Sequence, residues 1–187
     1  MDLPSHIKSI ANISSESEKE FSTAFKKKEY SKGESIFKQG EICKHIYFIE
    51  SGLARMFYYS QSGKEVTAMF FKENSFFTAI DSFYNKKTTR DNCELLEDSV
   101  VYSLHINEMD NLLKKNHDFA KLAFHTTYEI TRTIVDYTFA LKFQTAKERY
   151  DSLLKDYPRI FKRVALIHIA SFIGITPETL SRLRAKK

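Results

Sequence analysis

The sequence predicts an α+β protein in which an antiparallel β-domain is followed by a long helix and then by a pair of short helices. Three observations indicate this order. Glycines recur every seven to twelve residues between short runs of β-forming residues in the first half of the chain. Gly and Pro are then absent from residue 107 to residue 143, as in a long helix. Near the C-terminus a Gly-Ile-Thr-Pro turn joins two stretches with helical apolar spacing.

The composition is that of a folded, non-membrane protein. The 187 residues are enough for one large domain or two modules, and 42% are hydrophobic against 28% charged. Cys43 and Cys93 lie far apart without a close-spaced partner, which signals neither a disulfide framework nor a metal or iron-sulfur site. No leader pattern and no run of eighteen apolar residues is seen. We therefore expect a cytoplasmic protein without a membrane partner.

Positive charge is concentrated at the C-terminal end. The formal net charge is +5, but the segment from Lys142 to Lys187 holds eleven Lys or Arg against four Asp or Glu. The rest of the chain is therefore slightly negative. A basic module on a nearly neutral body suits attraction to the phosphates of a nucleic acid, although an ordinary solvated basic surface explains the charge equally well.

The β-domain is expected from about Tyr30 to Leu104. Glycines in tight turns separate its short strands, and Ser99–Leu104 is predicted as the last of them. The turn glycines are Gly33, Gly40, Gly52 and Gly63.

A single helix is predicted from Asn107 to about Phe143. Six of its residues repeat with spacings of four and three, as in a coiled-coil seam: Ala123, Thr127, Ile130, Ile134, Tyr137 and Leu141. The seam is interpreted either as a parallel dimer interface or as a stripe that packs on the protein's own β-domain. Periodicity alone does not separate the two.

The last segment has the pattern of a helix-turn-helix. A helix over Thr145–Lys155 ends before Pro158, and two more are predicted at Arg163–Ile173 and Pro177–Ala185. The first of these two ends at Gly174, which tolerates positive φ, and Thr176 can cap the second. Small Ala170 allows a close crossing, and five apolar residues form a shared core: Ile169, Ile173, Ile175, Leu180 and Leu183.

The outward face of the second helix combines hydroxyl and basic groups beside a basic tail. In a helix-turn-helix that face enters the major groove of DNA. A purely structural helical hairpin would share the apolar spacing but would not require such a face. The sequence therefore favours binding to double-stranded DNA.

Over nearly its whole length the chain resembles the Crp/Fnr family, named after the cyclic-AMP receptor protein and the fumarate-nitrate regulator. Gly33, Gly40 and Gly52, in Lys-Gly-Glu, Gln-Gly-Glu and Tyr-Phe-Ile-Glu-Ser-Gly, look like the turns of the family's β-roll. The runs Ala146–Tyr150, Tyr157-Pro158 and Gly174–Arg182 look like its C-terminal domain. The resemblance implies a β-roll sensor domain over 1–106, a dimerisation helix over 107–143 and a helix-turn-helix domain over 144–187.

The resemblance also implies roles for residues of the second helix. Glu178, Thr179 and Arg182 match positions that contact bases or position the helix, with Arg182 as the candidate for reading guanine. Phosphate contacts are assigned to Thr176, Ser181, Arg184, Lys186 and Lys187. A homodimer would place two such helices in successive major grooves and bind an inverted repeat. RNA polymerase is a further partner expected for a regulator of this kind.

Two departures from the family pattern qualify these implications. Members that bind cyclic nucleotides carry Gly-Glu-Leu and a later Arg-Ser or Arg-Thr pair, whereas here the corresponding stretches hold Glu73, Asn74, Ser75, Thr89 and Arg90. Only Arg90 could supply a guanidinium to bind a cyclic phosphate, so we expect that cyclic AMP is not bound. The sequence does not identify another effector. The chain also stops soon after the second helix, so no β-hairpin wing is expected.

Other function classes find less support in the sequence. A cupin-like metal enzyme needs several converging His, but the strand region holds only His45, with His105 at its end. His125 and Glu129 lie one helical turn apart, which is too little for a metal site. No catalytic motif, cofactor or metal is predicted. A cyclic-nucleotide-responsive regulator and a sensor that acts only through protein partners remain as alternatives.

Overall fold

A computed structural model describes residues 1–10 and 13–185. Two helices, α1 (Leu3–Ile10) and α2 (Ser15–Ala24), precede the strands, and α3 (Ile80–Asn85) lies between the sixth strand and the seventh. The strands are β1 (Lys26–Tyr30), β2 (Ser35–Phe37), β3 (His45–Ser51), β4 (Ala54–Tyr59), β5 (Glu65–Phe71), β6 (Phe76–Phe77), β7 (Asn92–Leu95) and β8 (Ser99–His105).

The strands form two antiparallel four-stranded sheets, which confirms the predicted β-roll. The strand orders are β1-β8-β3-β6 and β2-β7-β4-β5. Alternation along β3 sends Tyr47 and Ile49 into the space between the sheets, while Ile46 and Phe48 point to the outside of the roll. The first strand begins at Lys26, a few residues before the predicted start at Tyr30.

The outer face of the first sheet is covered by helices. Phe48 and Leu104 pack there against α1 and α2 and against α4 (Ile106–Lys115) and α5 (His117–Phe143). The single helix expected from Asn107 to Phe143 is thus two helices. Asn116 separates them with extended backbone, φ −135° and ψ 110°, and its side chain accepts a hydrogen bond from the Asp118 backbone nitrogen. Asn116 therefore acts as the N-cap of α5, a role that a short polar side chain fills well.

Four helices form the C-terminal unit: α6 (Ala146–Asp156), α7 (Ile160–Arg163), α8 (Leu166–Phe172) and α9 (Pro177–Ala185). Thr145 and Glu148 form a capping box at the start of α6. The helix predicted over Arg163–Ile173 is interrupted, because Val164 is extended and ends α7. Within the described part of the chain no strand follows β8.

The C-terminal unit packs directly on the second sheet. Phe70 of β5 contacts Phe172 of α8, with ring centroids 5.0 Å apart, and the Tyr157 hydroxyl donates to the Phe70 carbonyl at 2.9 Å. Met69 and Phe70 share one apolar cluster with the buried residues of α8 and α9, among them Ile169 and Leu180. The two units are therefore held together by a continuous core.

Candidate nucleic-acid interface

The turn between α8 and α9 has the geometry that the sequence predicts. Gly174 has φ +67°, a conformation that residues with a Cβ rarely adopt. The Ile175 backbone nitrogen donates to the Ala170 carbonyl at 3.0 Å, which closes the end of α8. Because Ala170 is fully buried, its small side chain allows α9 to cross closely.

Thr176 begins α9 as its cap. Its Oγ1 accepts a hydrogen bond from the Thr179 backbone nitrogen at 3.2 Å, and Pro177 occupies the first helical position. The hydroxyls of Thr176 and Thr179 also lie 3.2 Å apart. Both threonines are thus involved in the helix start, which limits what their hydroxyls can offer to DNA in this conformation.

The remaining predicted contact residues of α9 lie on its outer face. Leu180 is fully buried and anchors the helix, whereas Glu178, Ser181 and Arg182 are exposed. The side chain of Arg182 makes no hydrogen bond or ion pair with the described residues, so its guanidinium is available to a partner. The pKa of Glu178 is lowered, first by a hydrogen bond with Thr176 and more weakly by the charges of Arg182 and Lys64.

The other predicted phosphate contacts differ in their surroundings. Arg184 is exposed but lies over the ring of Phe161, with its guanidinium carbon 4.7 Å from the centroid. Cation–π contacts of this kind are weak at exposed sites and leave the outer donors of the group accessible. Lys186 and Lys187 lie outside the described residues.

A buried arginine links the roll to α8 and was missed by the sequence analysis. Arg55 of β4 is 2% exposed, and its guanidinium donates to Glu94 at 2.8 Å and to Glu65 at 2.6 Å. Its Nη1 also lies 2.6 Å from Nδ1 of His168. Arginine carries donors only, so His168 must accept with a neutral ring. Burial first, and the Arg55 charge second, lower the pKa of His168 and favour that neutral form.

The predicted effector residues lie in two separate places in the roll. Glu73, Asn74 and Ser75 form the turn between β5 and β6, where the backbones of Asn74 and Ser75 bond to Ile49. Thr89 is bonded through its backbone to Gly40 and Glu41.

The side chains of the predicted effector set do not converge either. Glu73 accepts a hydrogen bond from Arg163 of α7 at 2.6 Å. Burial, the largest single effect, would raise the pKa of Glu73, but the hydrogen bonds and charge of Arg163, together with backbone hydrogen bonds, outweigh it, so the pKa is lowered. Arg90 is 89% exposed, beside Asp91. Glu73 therefore belongs to the contact between the roll and the C-terminal unit, a role that depends on folding and that no local motif signals.

Residues of the predicted seam on α5 contact the protein's own chain. Ala123, Thr127 and Ile130 line an apolar cavity against the roll. Tyr137 stacks on Phe172 at 4.9 Å and donates to its carbonyl at 2.7 Å. Leu141 lies beside Gly174, where a Cβ would come within 3.3 Å of its Cδ2. Ile134 and Leu141 keep partial exposure, at 40% and 41%.

A second apolar stripe on α5 is exposed and was not identified from the sequence. Its side chains are between 54% and 76% exposed: Phe124, Tyr128, Val135, Phe139 and Phe143. Their spacings of four and seven residues place them on one face of the helix, turned away from the seam. The same periodicity argument could have found this stripe, but only the packing of the roll shows which stripe is covered.

The described residues contain neither a metal-ligand cluster nor a helix that could span a membrane. No cluster of three or more metal-ligating side chains occurs in the described residues, and the rings of His45 and His105 lie 5.0 Å apart without a third such group. None of the helices within residues 1–10 and 13–185 combines the length and the apolar character needed to span a bilayer.

Comparison with known proteins agrees with this architecture. Residues 27–116 match the family model of the cyclic nucleotide-binding domain. The HTH-type transcriptional regulator ArcR from Staphylococcus aureus is 30% identical over 125 residues, 67% of this chain and 53% of that protein. The chain thus spans about half the length of the curated relatives it matches.

Solved structures share the fold at low sequence identity. FixK2 from Bradyrhizobium japonicum superposes with a TM-score of 0.72 at 20% identity, covering 87% of this chain and 83% of that one. A transcriptional regulator of the Crp/Fnr family from Eubacterium rectale gives a TM-score of 0.69 at 14% identity, covering 92% and 82%.

The fold and the site together define a class of protein: a β-roll of the cyclic nucleotide-binding type, joined by a long helix to a helix-turn-helix. ArcR is an HTH-type transcriptional regulator, and the Eubacterium rectale protein is described as a regulator of the Crp/Fnr family. Residues 27–116 thus form a domain of the cyclic nucleotide-binding type, and the chain as a whole is similar in fold to the Crp/Fnr family.

Proposed function

We propose that this chain is a sequence-specific DNA-binding regulator that acts in the cytoplasm as a homodimer on an inverted-repeat operator. The exposed face of α9 carries the proposal: Arg182 and Ser181 point outward while Leu180 anchors the helix in the core. Arg182 is proposed to read a base, and Ser181, Arg184 and the terminal lysines to contact phosphates. Glu178 and the cap residues Thr176 and Thr179 are proposed to orient the helix. No catalytic role is proposed, and RNA polymerase is proposed as a further partner.

The dimer is proposed to form through α5. None of the six seam residues is buried, but Tyr137 and Leu141 contact the C-terminal unit of the same chain. We therefore assign the interface to the exposed stripe of α5, on the side of the helix turned away from the seam. Five large apolar side chains on one helix face form a patch that soluble proteins usually cover. Two copies joined in this way would present two α9 helices to successive major grooves, about 34 Å apart.

The roll is proposed not to bind cyclic AMP. An anionic phosphate needs a guanidinium or backbone donors that converge on it. Arg90 instead faces solvent beside Asp91, and Glu73 is engaged by Arg163. Aromatic side chains fill the interior of the roll, where the Phe71 and Phe77 rings stack at 4.6 Å.

The test is selection of bound sequences from a random duplex pool at near-physiological salt, with and without cyclic AMP. We expect an inverted repeat to be enriched equally in both conditions. Enrichment only with cyclic AMP would overturn the proposal for the roll. No enrichment at all would overturn the DNA-binding proposal.

Arg182→Ala tests the base contact on the operator so obtained. Loss of a base-reading arginine is expected to cost about 1 to 3 kcal/mol of specific binding and to relax preference at one base pair. Lys19→Ala, at an exposed position of α2, removes the same charge far from α9 and serves as the control. An unchanged binding motif in Arg182→Ala would exclude this residue from base recognition.

A further inference from the structure

An apolar cavity lies outside the roll, between the first sheet and α5. Phe76 of β6, Phe83 of α3 and Phe119 of α5 form part of its wall. Phe76 and Leu104 point to the outer face of the sheet, whereas the inward residues Tyr47 and Phe77 belong to the cluster that fills the roll. The cavity is therefore separate from the roll interior.

Its size and lining indicate what it can hold. The cavity volume is about 130 Å³. An engineered apolar cavity of roughly 150 Å³ stays dry and binds benzene, so this one is close to the size of a single ring. No charged side chain lines it among the described residues, which disfavours an anionic ligand such as a nucleotide.

Polar groups in the wall are few: they are the hydroxyls of threonines and of the exposed Tyr84. Thr126, Thr127 and Thr131 of α5 line the cavity, and none of their hydroxyls has a hydrogen-bond partner within the described residues. A hydroxyl can donate or accept, so these groups tolerate a ligand with one neutral polar substituent. Apolar walls with a few polar groups are characteristic of small-molecule sites.

We propose that this cavity binds a neutral, mostly apolar molecule with a single ring. The position of the cavity links this binding to the C-terminal unit. Thr126 to Thr131 lie two to three helical turns before Tyr137, which stacks on Phe172 of α8. A ligand that wedges α5 away from the sheet would alter that contact. This regulatory consequence, unlike the binding itself, rests on the proposed DNA-binding function.

The test uses toluene and phenol as probes and cyclic AMP as the negative control, with the full chain and calorimetric titration. We expect both ring compounds to bind with one site per chain and cyclic AMP not to bind in the cavity. Ala123→Leu and Thr127→Leu add side-chain volume at the wall and should weaken toluene binding at least about tenfold. Thr127 is exposed on one side, so its variant is expected to fold even where Ala123→Leu does not.

Thr138→Leu is the matched control, because Thr138 lies on the same helix but not in the cavity wall. Its affinity for toluene should match that of the unaltered chain. Absence of binding by either ring compound up to its solubility overturns the proposal. An affinity for toluene in both wall variants that equals that of the unaltered chain also overturns it. Loss of binding as the chain dimerises does so too, because a second copy would then occupy the cavity.

The regulatory consequence is measured separately as operator affinity with and without saturating toluene. We expect a change of at least about threefold in the unaltered chain and none in Thr127→Leu, because a ligand shifts an equilibrium only by its differential affinity for the two states. An unchanged operator affinity overturns the regulatory role while the cavity remains a binding site. Failure to bind any DNA overturns the proposed function, and calorimetric binding of toluene is unaffected by that result.

Discussion

At the scale of single residues, Gly52 illustrates how closely the roll is packed. It connects β3 to β4 with φ +107°, in the region that favours glycine. A Cβ built on Gly52 would clash with Oγ of Ser99 and would lie 2.9 Å from its backbone Cα. Neither atom is the flexible end of a long side chain, so the neighbouring strand would have to move.

Gly52→Ala is therefore expected to destabilise the fold by about 2 to 4 kcal/mol, from backbone strain together with overpacking. Urea denaturation followed by circular dichroism measures the change. Gly63→Ala is the matched control, since Gly63 has φ +78° but nothing within 4 Å of the added Cβ, and it should cost only about 1 to 2 kcal/mol. Equal losses in both variants would show that the contact with Ser99 contributes nothing.

At the scale of elements, α5 has two apolar faces with different partners. The face that includes Ala123, Ile130 and Tyr137 packs within the chain, whereas the opposite stripe has no partner in the described residues. Phe139 and Phe143 of that stripe already contact each other, with ring centroids 4.9 Å apart. An exposed aromatic pair at the end of a 27-residue helix is suited to packing against a second copy.

Phe139→Lys should then shift the protein to monomers, because a charged side chain would be buried in the interface. Sedimentation velocity over a range of protein concentrations measures the distribution, and the expected change is at least about tenfold in the dimer dissociation constant. Thr133→Lys introduces the same charge on another face of α5 and should leave the assembly intact. A dimer that resists Phe139→Lys would place the interface elsewhere.

At the scale of the whole molecule, protonation of histidines couples the stability of the fold to pH. Burial, followed by the charge of Arg55, lowers the pKa of His168 in the contact between the roll and α8. Glu65 and Glu94, which face the same group, act in the opposite direction but more weakly. The pKa values of His6 and His45 are also lowered, in both cases mainly by burial.

The sign of the effect follows from linkage. A histidine whose pKa is lowered by folding binds its proton first in the unfolded state, so acidification below about pH 6.5 favours unfolding. The free energy of unfolding is therefore expected to be fully maintained above that pH and to fall as the pH drops below it. Urea denaturation at pH 7.5 and pH 5.5 measures the difference.

His168→Asn keeps an acceptor near the position of Nδ1 but cannot titrate. It should reduce the loss of stability between the two pH values without abolishing it, because His6 and His45 still contribute. If the variant and the unaltered chain lose the same stability on acidification, His168 does not couple the contact with Arg55 to pH.

Features encoded by neighbouring residues could be read from the sequence. The turn needs a residue that tolerates positive φ at Gly174, and the helix start needs a hydroxyl at Thr176 and tolerates the missing backbone N–H of the proline that follows. All three features are found as predicted. The alternation of β-forming residues and glycines likewise predicted an antiparallel β-domain, whereas its form as a roll came from the family resemblance. Local dihedral preference and capping are sufficient for such features.

Features that join distant segments were decided only by the tertiary structure. The break at Asn116 is reinforced by a hydrogen bond of 2.8 Å to Glu20, about a hundred positions away in the sequence. The partners of Arg55 and Glu73, the covered face of α5 and the cavity beside it all depend on how the roll packs against the helices. Sequence periodicity shows that a helix has apolar faces, but which face is covered depends on the surfaces that the fold brings against it.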